Sequence, residues 1–362
     1  MGSAAAWQLA RRGRRVLGFD RFSPPHTLGS SHGRSRIIRE AYFEHPGYVP
    51  LLRRAYEVWA ELEREAGRRL FRQTGGLMAG PEDGVLVSGA RRSAREHALP
   101  HELLTAAEIR RRFPGFTPPD DFVGLLEPRA GMLAPEACVE AALGLARRHG
   151  AEFKTDEPVT SWRADGDGVV VTSAGGTHRA EHLILCAGPW MPELLGTVGR
   201  SLVVERQLFH WFEPARLPER FRPDRCPLTI WEYVPGRVFA TQPDAGDGVK
   251  AGIHHDGEVT TPERVRREPT AEDERAMRRL MELYMPDAAG VLREARVCLY
   301  TNTPDRHFLI DRHPDHPQVV MASPCSGHGF KFASVIGEIL ADLATEARSP
   351  FDLTPFALSR MR

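Results

Sequence analysis

Lysine is scarce in this chain. Lys154, Lys250 and Lys331 are the whole set, and every other basic side chain among the 48 Lys plus Arg is arginine. Arginine serves wherever only positive charge is needed, so each lysine calls for a reason in its own chemistry. Cysteine is sparse too. Cys138, Cys186, Cys226, Cys298 and Cys325 stand far apart, form no CxxC pair and are odd in number. That argues against a disulfide framework and for a reducing cytoplasm, where an isolated cysteine is core filler or chemistry. No apolar run approaches the roughly 18 to 20 residues of a membrane helix. At the N-terminus the basic residues follow the apolar part, the wrong order for a secretory signal. Net charge is zero with a pI near 7.3, so no basic surface advertises nucleic acid and no polybasic run advertises a membrane. What is present is ordinary for a globular protein: 41% hydrophobic and 27% charged residues over 362 positions, enough for two domains or one elaborate one.

Spacing predicts a helix over "GSAAAWQLARRG", closed by Gly13, and a buried strand in "RVLGFD" ending at Asp20. A helix opening on Gly2 and a strand closing on an acid match the second half of a dinucleotide-binding βαβ unit. The first strand and two earlier glycines of a full fingerprint would precede Gly2; the expectation is a start further upstream, or a chain without the phosphate loop. "PPHTLGSSHGRSR" reads as a loop. Helices follow at 48–66, at "TAAEIRRRFPGF" up to Pro114, and at 136–150. "GGLMAG" reads as a strand. Residues 158–188 read as strand, turn, strand, turn, strand, with the buried strand "HLILCAG" last. From 202 to 300 strands dominate, with one helix at 271–284. A buried strand "VVMASPC" and a helix from Phe332 to Thr345 close the chain. Nucleotide-binding features at both ends with strands between imply a mixed α/β (α+β) fold whose first domain is interrupted by a second.

Several constellations carry chemistry. Arg36 and Arg39 follow a flexible loop and would grip an oxyanion, though surface arginines are common here. Lys250 and His254 share one face of a strand, and Cys298 and Tyr300 share another. Gly327 and Gly329 flank His328, with Lys331 at a helix start, where backbone amides and the helix dipole favour negative charge.

Three stretches, "CLYTNTPDRHFLIDRHP", "SGHGFKFASVIGE" and "FDLTPFALSR", resemble the monomeric sarcosine oxidase family, with N-methyltryptophan and pipecolate oxidases. "PPHTLGSSHGRSRIIREAY", "GVKAGIHH" and "LILCAGPW" extend the resemblance over nearly the whole chain. It implies FAD attached covalently through Cys298. It implies a substrate carboxylate held by Arg39 and Lys331, and Lys250 near flavin N5 promoting reaction with oxygen. His254 would lie over the substrate, with Arg36 and Tyr300 near flavin and substrate. Cofactor contacts are implied at Gly2, Asp20, Ser30, His32, Ser35, Val159, Gly188, Gly327, His328, Gly329 and Lys331. A Rossmann-like FAD domain would comprise 1–75, 133–200 and 301–362. A substrate domain on a mostly antiparallel sheet would comprise 76–132 and 201–300. No metal is implied. The partners are an amino acid and O2, in a cytoplasmic monomer.

The activity implied is oxidation of the C–N bond of a sarcosine-like secondary amino acid, giving H2O2. This chain departs from the family pattern in its N-terminus, in Ser31-His32 and Arg34-Ser35 of the loop, in "SPC" before the glycines, and near 239–243. There Phe239 stands where a tyrosine would serve the substrate. Two alternatives stay open here: a larger substrate (N-methyltryptophan, pipecolate or a cyclic imino acid), or a non-catalytic remnant lacking the phosphate loop.

Overall fold

A computed structural model describes residues 1–346 and 348–361. Helix α1 (Gly2–Arg11) buries Ala4, Ala5, Ala6, Trp7 and Ala10. It packs against α5 (Pro135–Arg148) and α8 (Ala333–Glu346). Small residues permit the approach: a Cβ on Gly337 would lie 2.5 Å from the Ala4 side chain. Between these come α2 (Val49–Ala66), ended by Gly67 in the left-handed region, α3 (Val85–Glu96) and α4 (Ala106–Arg112). The short α6 (Met191–Leu195) and α7 (Ala271–Tyr284) complete the set. A Thr270 side chain accepting from Asp273 N, with Asp273 reaching back, starts α7.

The strands fall into two kinds of sheet. Leu17–Phe19 pairs in parallel with Glu152–Lys154, and Leu183–Leu185 in parallel with His316–Ser323. These two parallel pairs belong to separate sheets, and no described strand joins them. The largest sheet has nine strands, all drawn from 76–127 and 203–302. It is antiparallel except where Leu228–Val234 meets Gly76–Pro81. One core gathers α1, α2, α5 and α8; a second lies between the large sheet and α7.

Three local expectations need correction. Helix α3 was not expected from the sequence: it begins after Gly84 with no side-chain cap and contains Gly89, so its start signal is weak. It forms because Leu86, Val87, Ala90 and Ala94 fill the core, and because Gly89 lets it reach Phe43, whose carbonyl would lie 2.4 Å from a Cβ. Residues 158–188 hold four strands, since Gly176 at φ 128 turns the chain into an added strand, Gly176–Ala180. The strand in "HLILCAG" is three residues long, with Leu183 and Ile184 only half-buried. Among the described residues no helix is long and apolar enough to cross a membrane.

Candidate active site

A cleft of about 2170 Å³ runs between the parallel strands and the large sheet. Gly2, Asp20, Ser30, Val159, Gly188, Arg36 and Arg39 line it, with Lys250, His254, Cys298, Tyr300, Gly327, His328, Gly329 and Lys331. Two expected cofactor residues stand behind its wall. His32 is fully buried, neither ring nitrogen has a partner, and burial followed by Arg36 lowers its pKa to about 3. Ser35 contributes its carbonyl, described next.

Strand Val249–His254 places Lys250 and His254 on one face because strand side chains alternate. The Lys250 Nζ donates to Gly33 O at 2.8 Å and Ser35 O at 2.7 Å. Phe209 and Trp211 lie beneath it, 4.2 and 5.5 Å from the ammonium. Burial, with Arg36 adding repulsion, holds its pKa well below that of an ordinary lysine. The His254 Nδ1 lies 3.2 Å from the Tyr300 hydroxyl, and its ring packs against His255 at 4.1 Å. Burial and then His255 push its pKa far down, so the imidazole is neutral.

Arg39 is 2% exposed and donates to Ala41 O at 2.7 Å and Glu44 Oε2 at 2.8 Å. Its guanidinium lies between the rings of Tyr42 and Phe43, 4.3 and 4.8 Å away. The Lys331 Nζ donates to His328 O at 2.7 Å and stands 3.5 Å from the Tyr42 hydroxyl. Burial, then Arg39, lower its pKa to about 7. His328 donates from Nε2 to Arg306 O at 3.0 Å, which leaves Nδ1 to accept from Tyr42 at 2.5 Å.

Cys298 is 1% exposed, with Arg36 Nη2 3.8 Å from its sulfur. Burial raises the thiol pKa while Arg36 and Lys250 oppose that rise. Arg36 is fixed by Ser35 O and Ser30 O, both at 2.9 Å, and by the face of Phe209 at 4.5 Å. Cys325 also lines the cleft, its thiol raised to about 11 by burial.

One expectation near 239–243 was off by a residue. Strand Arg237–Gln242 points Val238, Ala240 and Gln242 into the cleft. Phe239 lies on the opposite face, stacked on Trp231 and tilted against Tyr284 in the second core. The wall at this place is therefore the Ala240 methyl. Sequence reasoning also missed Glu44, which pairs Arg39, and the rings of Phe209, Trp211 and Tyr42. Phe209 and Trp211 meet Lys250 only when separate strands pair, whereas Glu44 and Tyr42 stand five and three residues from Arg39 and could have been read from that local spacing.

The lining suits a large anionic, aromatic cofactor such as FAD. At Gly327 the backbone presses against the site: a Cβ there would come within 2.4 Å of Tyr300 and 2.7 Å of His254, so only glycine brings these amides so close to the two rings. Among the described residues Arg36, Lys250 and Lys331 line the cleft with no carboxylate at ion-pair distance, while Arg39 is paired by Glu44.

Comparison with known proteins agrees. The model of the family described as FAD dependent oxidoreductase matches residues 1–343. The chain is 47% identical over 348 residues to the monomeric sarcosine oxidase of Streptomyces avermitilis, covering 95% of this chain and 91% of that protein. It is 34% identical over 366 residues to the N-methyl-L-tryptophan oxidase of Yersinia pestis, covering 100% and 97%. Among solved structures, NikD, an unusual amino acid oxidase essential for nikkomycin biosynthesis, superposes with a TM-score of 0.84 at 26% identity, covering 98% of this chain and 94% of that one. A cleft ringed by buried cations, a match along almost its whole length and these relatives converge on one statement: the chain belongs to the FAD dependent oxidoreductase family.

Proposed function

We propose that this enzyme oxidises the C–N bond of a sarcosine-like secondary amino acid, with O2 as acceptor and H2O2 as product. The observation that carries the reading is the pair of buried cations, Arg39 and Lys331, in the cleft that also holds neutral His254 with Tyr300. Two cations that both contact Tyr42 make a receptor for one carboxylate, and Glu44 holds the Arg39 guanidinium in place. Carboxylate and amine are then fixed at two points, which aligns the C–H bond between them. FAD, when bound, accepts the hydride and passes two electrons to oxygen. The substrate carbon becomes an iminium, which loses a proton and is hydrolysed to amine and aldehyde. Neutral His254 adds no charge to oppose the cation forming on nitrogen.

In the same reading Lys250 supplies the positive charge that favours oxygen reduction. Cys298 supplies the covalent link to FAD, with Arg36 beside its sulfur to stabilise a thiolate. Residues 1–75, 133–200 and 301–362 serve as the cofactor unit, and 76–132 with 201–300 as the substrate unit. Sheet membership supports that division. Five free cysteines and the relatives called monomeric support a monomer in the cytoplasm.

A second reading, a larger secondary amino acid, is favoured by one observation: Ile230, Val238 and Ala240 leave an apolar wall without an aromatic ring. Peroxide production with sarcosine, N-methyl-L-tryptophan and L-pipecolate decides. The first reading expects the highest kcat/KM with sarcosine. A tenfold preference for either other substrate transfers the assignment to the larger class, and no peroxide from any of them in yellow protein overturns both.

The Lys331 pKa of about 7 has a direct consequence. Anion binding needs its ammonium, which is fully present below pH 7 and lost as pH rises through that value. The inhibition constant of acetate is therefore expected to rise about tenfold per pH unit above pH 7. Lys331→Met should flatten the profile. A flat profile in the parent enzyme removes Lys331 from carboxylate binding.

A further inference from the structure

The loop Gly33–Ser35 holds Lys250 through two carbonyls, and something must hold the loop. Gly33 has φ 101 and Arg34 has φ 64, a left-handed pair in which the second residue is not glycine. In that conformation successive N–H groups turn to one side and form a small concave anion site. Glu136 fills it. Its Oε1 accepts from Gly33 N at 2.7 Å and Arg34 N at 3.0 Å, and its Oε2 accepts from Arg34 N at 3.2 Å. Glu136 sits in the first turn of α5, yet its carboxylate reaches across the chain to this loop. The Gly33 and Ser35 carbonyls turn to Lys250 instead. No larger residue fits at 33, since a Cβ would meet Phe209 at 3.0 Å and Arg36 Nη1 at 3.1 Å. The Arg34 guanidinium points elsewhere, to Glu294 at 2.5 Å and Asp247 at 3.4 Å, over the face of Trp211.

We propose that Glu136 is a positioning residue for Lys250. By binding the amides of a left-handed turn it aims the turn's carbonyls at Nζ, and so sets where the buried ammonium stands. The proposal rests on the reading that Lys250 serves oxygen reduction. Without the carboxylate, two N–H groups lose their acceptor, and the left-handed turn keeps only the Ser35 N–H to Gly33 O bond at 2.7 Å and the Arg34 side-chain contacts. The carbonyls then drift from Nζ, and the charge drifts with them.

Glu136→Leu keeps most of the side chain's bulk while removing both acceptor oxygens, and Lys250→Met is measured beside it. Two readouts are taken. Amide hydrogen exchange on the purified protein should show the peptide over residues 31–36 exchanging at least about tenfold faster in Glu136→Leu, as expected for lost hydrogen bonds. Stopped-flow on the flavin-loaded enzyme should show reaction with oxygen about tenfold slower, with anaerobic reduction by substrate changed less than about twofold. Faster exchange with unchanged oxygen reaction would make Glu136 a merely structural residue and overturn the proposal. So would unchanged exchange. If Lys250→Met itself reacts with oxygen like the parent, the reading of Lys250 fails, and the proposal falls with it for that separate reason. Should Glu136→Leu fold poorly, Glu136→Asp keeps the charge and moves it by one methylene, and the same two readouts apply.

Discussion

Lys250→Met is expected to slow the reaction with oxygen about 100-fold or more, while reduction by the amino acid under anaerobic conditions changes less than about threefold. The first electron placed on oxygen creates an anion, and a fixed cation in a water-poor site stabilises it strongly because screening is weak there. Lys250 is 3% exposed, and its hydrogen-bond partners are two carbonyls, which hold it in place without cancelling its charge. The rings of Phe209 and Trp211 favour the charged form from below. Burial and Arg36 work against it. Methionine keeps the length of the side chain and deletes the charge together with the two hydrogen bonds to Gly33 O and Ser35 O. The carboxylate receptor, Arg39 and Lys331, is untouched by the change, so substrate reduction should continue. Equal slowing of both half-reactions would show that the substitution disturbs the whole cleft and would sink the assigned role.

The second large effect concerns attachment. Flavin in the parent protein should stay with the polypeptide after acid precipitation, and in Cys298→Ser it should pass entirely into the supernatant. Five free cysteines exist, and three of them, Cys186, Cys298 and Cys325, line the cleft. What separates Cys298 from the other two is its surroundings. Cys298 has the Arg36 guanidinium 3.8 Å from its sulfur and Lys250 nearby, both favouring a thiolate. Cys186 and Cys325 have no arginine or lysine in that role: burial raises both thiols, opposed by the N-terminal ammonium and, at Cys325, by the Ser323 side chain. Flavin that remains bound in Cys298→Ser and leaves in Cys325→Ser would move the linkage. Flavin that washes out of the parent protein would abolish it.

Much of this was legible in the sequence where spacing is local. The helix over 271–284 appeared at its observed bounds because apolar positions, an acidic first turn and Thr270 agree. The face shared by Lys250 and His254 followed from the two-residue period of a strand. The same rule misled at 239, where the period was right but its phase was not: nothing in "VFATQP" says which parity faces the cleft. Helix α3 stayed hidden because its signal is tertiary, a glycine pressed on Phe43 instead of a cap. The long-range contacts that tune the cleft were illegible for a simpler reason. Glu136 acts on residues 103 positions away and Tyr42 on one 286 away, and neither distance leaves a trace in local pattern.

The packing of α1 on α8 sets an order of events during synthesis. The first helix exposes Ala4 until Gly337 arrives to cover it, some three hundred residues later. At about 5–20 residues per second that is a wait of roughly 15 to 70 seconds on the ribosome. Lys331 and its glycines emerge in the same late stretch. The cofactor pocket therefore cannot close until the stretch from Gly327 to Gly337 has been made, some three hundred residues after α1.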